Sequence, residues 1–201
     1  PPVFNDTATT EIYTLGRSSA ASDVYKRQPV DFSPEYRASA EWRRLNPVGK
    51  VPAMTDGDLI LFESGAMVEY ILDRYGEGRL RPTRGSASHA HYLQWSWFAE
   101  ATFARPLGEI VNHRRVFGDD SSPRMLEEMR ERARLCLTAL DDALEGRDYI
   151  VGGEFTAADI MMGYSIFLAE WVNAMEGEEF PNVTAYFARL KARPAFARAM
   201  A

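Results

Sequence analysis

The chain is poor in cysteine and has no long apolar run. Its single cysteine, Cys136, excludes an intramolecular disulfide and favours a reducing compartment. The helical pattern around Cys136 is leucine-rich, so we interpret it as a buried structural thiol rather than a reactive one. No run approaches the roughly 20 apolar residues of a membrane-spanning helix, and residues 1–10 lack the apolar core of a secretory leader. We therefore expect no membrane partner and a cytoplasmic location.

The chain has fewer basic than acidic residues, and few histidines. The 23 Lys and Arg residues are outnumbered by 29 Asp and Glu residues, which gives a net charge of -6 and argues against a nucleic-acid partner. Of the three histidines, His89 and His91 are two residues apart and point to different faces of a helix. With His113 they form no metal-ligand pattern, so we expect no metal. A hydrophobic fraction of 46% is typical of a folded protein.

Residues 11–80 have the pattern of an α/β domain. Residues 11–15 and 30–32 are predicted strands, and a helix is predicted from Pro34 to Leu45. The Asp56-Gly57 pair between two apolar runs is a strong hairpin signal. After the hairpin, residues 63–75 show a helical pattern that ends at Gly76.

Residues 86–201 have the pattern of an all-α domain. A long helix is predicted over residues 86–117 with a kink at Pro106, and a second follows Ser122. Thr156 and Asp159 form a capping box at the start of the next helix. Pro181 begins the last long helix, which Pro194 ends.

Four motifs in this order resemble one family. They are residues 46–52 (NPVGKVP), 63–66 (ESGA), 153–160 (GEFTAADI) and 181–196, which contains PNV and ends in RPAF. Together they are similar to the glutathione S-transferases of the cytosolic, bacterial type. The resemblance implies an N-terminal thioredoxin-like α/β domain that binds glutathione, over residues 11–80. It also implies an all-helical C-terminal domain over residues 86–201, and a homodimer.

The resemblance also implies which residues hold glutathione, the co-substrate. Pro52 is expected to be a cis-proline whose neighbour Val51 pairs through its backbone with the cysteinyl unit. Ser64 and the helix N-terminus suit a carboxylate, while Glu63 suits the ammonium and Lys50 the glycyl carboxylate. Each of these residues alone also fits an ordinary helix start or a solvated charge.

In this family a donor just after the first strand stabilises the glutathione thiolate, which is the nucleophile. Ser18 falls at this position and Ser19 is the alternate, whereas we interpret Tyr13 as a packing residue within the strand. The donor is thus a serine-type candidate. An ordinary turn or capping serine remains the alternative for Ser18.

Residues 20–29 depart from the family pattern. The family carries a full amphipathic helix here, whereas this segment is too short for one and has little apolar surface beyond Val24 and Tyr25. We therefore expect the first helix of the thioredoxin-like domain to be truncated. We interpret the segment as a local deletion, a replacement or a sequence error.

The resemblance implies a detoxifying transferase that conjugates glutathione to a small hydrophobic electrophile. The alternatives are a glutathione-dependent isomerase or dehalogenase on the same fold, or a catalytically silent module that binds glutathione or a protein. Candidates for the apolar electrophile pocket are Trp97, Phe98, Phe103 and Trp171, although aromatics at helical spacing are more often core. Three arginines, Arg105, Arg114 and Arg115, form either a basic rim for anionic substrates or a solvated face.

Overall fold

Four short strands form the sheet of the first unit in a computed structural model, which describes residues 10–14, 25–30 and 33–200. The strands are β1 (Thr10–Thr14), β2 (Tyr25–Pro29), β3 (Ala53–Asp56) and β4 (Leu59–Phe62). Their order in the sheet is β2-β1-β3-β4. β1 and β2 are parallel, while β1–β3 and β3–β4 are antiparallel. The expected α/β first half is confirmed.

The second strand does not lie where the sequence pattern placed it. β2 spans Tyr25–Pro29 and pairs with β1 from Thr10↔Tyr25 to Thr14↔Pro29. Of the predicted strand over residues 30–32, Val30 lies outside the strand, and residues 31–32 lie outside the described residues. Proline at the end of a strand argues against a central position but is compatible with an edge strand, and β2 is at the sheet edge. Half of the atypical segment 20–29 is thus strand; residues 20–24 lie outside the described residues.

The helix predicted over residues 34–45 is two short helices, α1 (Pro34–Ala38) and α2 (Ala40–Leu45). Ser39 separates them with extended backbone (φ -63°, ψ 149°), and its hydroxyl accepts a hydrogen bond from the Trp42 N–H at 3.1 Å. Serine favours such a cap over a helix interior, because its short side chain competes for backbone N–H groups. The Trp42 side chain, in the helix after the break, is completely buried.

The hairpin and the helix that follows it are confirmed. Gly57 has a φ of +59° in the β3–β4 turn, a conformation that glycine adopts without a steric penalty. Helix α3 (Ser64–Tyr75) ends at Gly76, whose N–H bonds to the Leu72 carbonyl at 3.0 Å. This first unit extends to Arg79 and also includes the chain from Ala192 onward, with α9 (Pro194–Met200).

The second unit, Leu80–Lys191, is helical throughout its regular elements, as predicted. Its helices are α4 (Ala87–Trp97), α5 (Ala104–Phe117), α6 (Pro123–Ala143), α7 (Ala157–Trp171) and α8 (Pro181–Lys191). Within the described ranges, no helix has the length and apolar character to cross a bilayer.

A π-helical segment, Phe98–Phe103, joins α4 to α5. Pro106 has no backbone N–H and so cannot donate a hydrogen bond to the Thr102 carbonyl, one turn earlier. The sulfur of the buried Cys136 thiol lies 4.0 Å from that carbonyl oxygen. The Ser165 hydroxyl donates to the Ala99 carbonyl at 2.9 Å. Side chains of α6 and α7 thus bond to carbonyls of the irregular turn. Cys136 is buried, and burial raises the pKa of its thiol, in agreement with a structural thiol.

Two aspartates, one fully buried and one half-buried, accept hydrogen bonds at the N-termini of α7 and α8. Asp159, fully buried, accepts from the Thr156 N–H at 2.7 Å, as the capping box predicts. Asp141 on α6 accepts from the Val183 N–H at 2.9 Å, and so caps α8 from outside that helix. These contacts tie the last helices into the core of the unit.

Candidate functional site

Strand register brings three stretches of chain to one end of the sheet. In β3, Ala53 pairs with Tyr13 of β1 on one side and with Phe62 of β4 on the other. Both neighbours run antiparallel to β3, so the chain leaves β1 and β4 at the end where it enters β3. Pro52 and Glu63 are the next residues at this end. The candidate binding residues Val51, Pro52, Glu63 and Ser64 are therefore brought together by the topology.

The loop before β3 is organised by Asn46, which is 2% exposed. Its amide nitrogen Nδ2 donates to the Pro52 carbonyl at 3.3 Å, and its Oδ1 accepts from the Val48 N–H at 3.2 Å. Its own carbonyl accepts from the Gly49 N–H at 2.9 Å. Asn46 therefore holds the loop from both sides.

Gly49 is required in this loop for two reasons. Its φ is +67°, and a Cβ placed there would lie 2.9 Å from the Arg37 carbonyl oxygen. Both the backbone conformation and the close approach exclude a larger residue without rearrangement.

The Val51–Pro52 peptide bond is cis, as predicted. Lys50 is exposed, and Val51 and Pro52 are half-buried. Among the described residues, none makes a hydrogen bond to the Val51 backbone. A strand-like ligand backbone can thus pair with it.

Glu63 occupies an unusual backbone conformation at the junction of β4 and α3. Its φ is +75° and ψ +108°, a region that costs a non-glycine residue about 1–3 kcal/mol. The Glu63 side chain is exposed and does not cap the helix. Its carboxylate is therefore presented to solvent beside the helix N-terminus, where Ser64 begins α3. Such strain clusters at ligand-binding positions, and its presence here supports a site.

Two tyrosines fix α3 against the hairpin. The hydroxyls of Tyr70 and Tyr75 both donate to Asp56 Oδ2, at 2.8 Å and 2.5 Å. The hydrogen bond to Asp56 raises the pKa of Tyr70. Because Asp56 ends β3 and both tyrosines lie on α3, these bonds hold the helix that carries Ser64.

The serine candidates for the thiol lie outside the described residues. Ser18 and Ser19 follow β1, whose last residue is Thr14. The chain therefore departs toward both serines from the sheet end that holds Pro52 and Glu63. Their role remains a prediction.

The aromatic pocket candidates separate into two groups. Phe103 is fully buried and contributes to the core of the helical unit, so it presents no surface to a ligand. Trp97 and Trp171 are 67% and 62% exposed, and Phe98 is half-buried against Trp95. Arg105, Arg114 and Arg115 are exposed.

Asn46 and the strained backbone of Glu63 were not predicted from the sequence. Asn46 precedes a proline, which marks it only as a helix end. Its burial and its three contacts depend on how the loop folds back. No signal in the sequence reveals the positive φ of Glu63, since that conformation is rare for glutamate.

Metal ligands are absent from the part of the chain that the structure describes: no group of three His, Cys, Asp or Glu side chains is placed to hold an ion.

Two family models match the chain. The model described as the N-terminal domain of glutathione S-transferase matches residues 20–73, and the one described as its C-terminal domain matches residues 108–194. The first match contains the loop at Asn46 and the Glu63–Ser64 junction, and the second contains the capping box at Asp159.

Individual relatives agree with these matches. Glutathione S-transferase F13 of Arabidopsis thaliana is 28% identical over 174 residues, which cover 84% of this chain and 80% of the relative. Dichloromethane dehalogenase of Methylorubrum extorquens is 26% identical and covers 85% of this chain and 63% of its own length. A glutathione transferase family member from Pseudomonas fluorescens, solved with two glutathione bound, superposes with a TM-score of 0.82 at 27% identity, over 95% of this chain and 92% of that one.

Proposed function

Because the chain belongs to the glutathione S-transferase family, we propose that it is a glutathione transferase that joins the thiolate of glutathione to a small hydrophobic electrophile. The observation that carries this proposal is the meeting of Val51–Pro52, Glu63–Ser64 and the end of β1 at one end of the sheet. The N-terminal unit is then the glutathione-binding domain.

Glutathione carries two carboxylates and one ammonium group, and the site offers groups of both signs. We assign the γ-glutamyl carboxylate to the Ser64 hydroxyl and the N-terminus of α3, where the helix dipole favours negative charge. The exposed Glu63 carboxylate faces the ammonium group, and Lys50 faces the glycyl carboxylate. The Val51 backbone pairs with the cysteinyl unit in the manner of an added strand.

The reacting thiol requires a donor, because a free thiol with a pKa near 8.5 is mostly protonated at neutral pH. We assign this donor to Ser18, with Ser19 as the alternate. A hydroxyl that donates to the sulfur stabilises the thiolate and lowers the pKa of the thiol. The thiol proton leaves to solvent, the sulfur lone pair forms a bond to the electrophilic carbon, and the leaving group departs with its electron pair.

The electrophile needs apolar contacts, for which the exposed Trp97 and Trp171 and the half-buried Phe98 are the candidates. Phe103 is excluded from this role by its complete burial. We further propose a cytoplasmic homodimer with a role in detoxification. Sedimentation velocity tests the dimer, since a single species at the monomer mass contradicts it.

The binding assignment is tested by isothermal titration with glutathione. We expect Glu63→Ala and Ser64→Ala each to weaken binding about 10-fold or more, because each removes a charge-assisted hydrogen bond. The matched control is Glu41→Ala, which removes an exposed carboxylate from the first turn of α2 in the same unit. Equal affinity of the wild type and Glu63→Ala would refute the assigned site.

A second candidate reaction is glutathione-dependent dehalogenation, which the similarity to dichloromethane dehalogenase favours. It uses the same thiolate and differs in the electrophile, a haloalkane that releases halide. Chloride release from dichloromethane, with no conjugation of a chloronitroaromatic compound, would favour this candidate over the first.

A further inference from the structure

His113, near the C-terminal end of α5, makes a hydrogen bond that joins two helices. Its ring nitrogen Nε2 accepts from the backbone N–H of Ser122 at 2.9 Å, nine residues further along the chain. The imidazole is half-buried and packs on the Phe117 ring, with the ring centroids 4.6 Å apart. Within the described ranges, no other hydrogen bond connects α5 with residues 121–123. The hydrogen bonding between α5 and the start of α6 therefore depends on one imidazole.

Ser122 is the N-cap of α6, so the position of its backbone determines how that helix begins. Its hydroxyl accepts from the Met125 N–H at 3.3 Å, and its carbonyl accepts from the Leu126 N–H at 3.1 Å. The Ser122 N–H lies before the helix, where the helix itself offers no acceptor, and His113 supplies one. Loss of this acceptor therefore frees the backbone at the residue that caps α6.

Only the neutral form of the His113 imidazole can make this hydrogen bond. A neutral imidazole has one N–H and one acceptor nitrogen, so an Nε2 that accepts places the ring proton on Nδ1. When a proton from solvent binds the Nε2 lone pair, both ring nitrogens become donors. The Nε2–H group and the Ser122 N–H then face each other, and neither can accept. Histidine side chains ordinarily change charge between about pH 5 and pH 8, so mild acidification is the relevant perturbation.

Charged groups of both signs lie on the elements that meet at His113. The basic residues are Arg114 and Arg115 on α5 and Arg124 on α6, and the acidic residues are Glu109 on α5, Asp119 and Asp120 in the 3₁₀ turn Gly118–Asp120, and Glu127 and Glu128 on α6. In the described part of the chain no carboxylate forms an ion pair with His113, and the two glutamates on α6 pair with arginines of their own helix. The end of α5 favours a cation and the start of α6 disfavours one. No single charge therefore replaces the hydrogen bond that protonation removes.

We propose that His113 is a pH-sensitive switch of the connection between α5 and α6. Neutral His113 holds the Ser122 N–H and fixes the start of α6, whereas protonated His113 releases both the connection and the first turn of that helix. The rest of α6 stays in place, because Ala133, Leu137 and Leu140 are fully buried in the core of the unit. The hydrogen bond is complete where the imidazole is neutral, so the protection of the Ser122 amide falls as the pH falls. The switch does not depend on the proposed transferase reaction.

The test uses NMR on the full chain to measure the exchange of backbone amides with water at pH 8 and pH 5, each rate divided by the intrinsic rate of an unstructured peptide at that pH. We expect the protection of the Ser122 amide to fall about 3- to 10-fold at pH 5, as for the loss of one neutral hydrogen bond. The Trp42 amide is the internal control, because its acceptor, the Ser39 hydroxyl, does not titrate in this range. At pH 8 the side-chain ¹⁵N shifts of His113 should show the proton on Nδ1, a tautomer that a merely packed imidazole does not require.

Two variants separate the switch from a general effect of acid. His113→Ala removes the acceptor, so the Ser122 amide should be weakly protected at both pH values and should lose its pH dependence. His113→Gln offers an amide oxygen that does not titrate, so it should also remove the pH dependence while it keeps a polar side chain at this position. The matched control, His91→Ala, removes an exposed histidine of α4 and should keep the wild-type pH dependence.

Three outcomes would overturn the proposal. One is a His113 ring that carries its proton on Nε2 at pH 8. Another is Ser122 protection in the wild type that stays constant between pH 8 and pH 5, or that falls no more than the protection of Trp42. The third is the wild-type pH dependence of the Ser122 amide in His113→Ala or in His113→Gln.

Discussion

The Asp159 carboxylate accepts four hydrogen bonds in the core of the helical unit, and its removal tests that core directly. The carboxylate is fully buried. It accepts hydrogen bonds from the Ile150 N–H at 3.0 Å, the Thr156 N–H at 2.7 Å, the Thr156 hydroxyl at 3.1 Å and the Tyr186 hydroxyl at 2.7 Å. Truncation to alanine leaves these donors in a site that is closed to solvent.

The expected cost follows from the number of donors. An unsatisfied buried donor costs about 1–3 kcal/mol, but relief of the buried charge offsets part of the sum. We expect Asp159→Ala to lower the free energy of unfolding by about 3–5 kcal/mol. For a chain of this size, that corresponds to a fall in Tm of roughly 8–15 °C.

Thermal and urea unfolding followed by circular dichroism measures this loss. The matched control is Asp142→Ala, which removes an exposed carboxylate near the end of α6 and should change stability by about 0.5 kcal/mol or less. A loss below about 1 kcal/mol in Asp159→Ala would refute the hydrogen-bond network as described.

Three further predictions concern the loop, a tyrosine and the thiol. Gly49→Ala should destabilise the protein by about 2 kcal/mol more than Gly57→Ala, because both have positive φ but only Gly49 approaches a carbonyl within contact distance; equal melting temperatures would contradict this. Burial raises the pKa of Tyr186 well above its usual value of 10, and the Asp159 charge and the hydrogen bond to that carboxylate raise it further. The Tyr186 hydroxyl therefore contributes its full stabilisation below the unfolded pKa of about 10, and this contribution is lost as the pH rises toward the folded pKa. Tyr186→Phe should reduce the loss of stability between pH 9 and pH 11. An unchanged dependence of the free energy of unfolding on pH would count against this prediction. Cys136 is buried with a raised thiol pKa, so Ellman's reagent should react with it only on unfolding; immediate reaction in the folded protein would show that the thiol is accessible.

Local signals predicted much of this fold. The Asp56-Gly57 turn and the capping box at Asp159 each depend on side chains close in sequence, and the structure has both. The same holds for the helix starts at Pro123 and Pro181. These features follow from local geometry, and tertiary packing did not override them. The cis-proline at Pro52 was implied by the family resemblance, and the structure has it too.

The failures have non-local causes. β2 ends at Pro29, a residue that argues against a strand until its position at the sheet edge is known. The break at Ser39 precedes Trp42, which is completely buried, and this burial depends on the rest of the unit. The π-helical turn at residues 98–103 depends on partners from α6 and α7, namely Cys136 and Ser165, which lie far along the chain.

The candidate site was predicted only in part. Lys50, Val51, Pro52, Glu63 and Ser64 belong to motifs that are contiguous in sequence, so they could be named before the structure. Asn46 holds their loop through contacts to residues two and six positions along the chain, Val48 and Pro52, and these contacts depend on how the loop folds back.

In the proposed reaction, the thiolate of glutathione bound beside Pro52 and Glu63 attacks an electrophile. The most direct test is the initial rate of conjugation of 1-chloro-2,4-dinitrobenzene with glutathione, measured for the wild type and Glu63→Ala in parallel with retention on immobilised glutathione. We expect saturable turnover in the wild type, and loss of both turnover and retention in Glu63→Ala. Retention of the wild type with no turnover of this compound or of dichloromethane would contradict the proposed reaction.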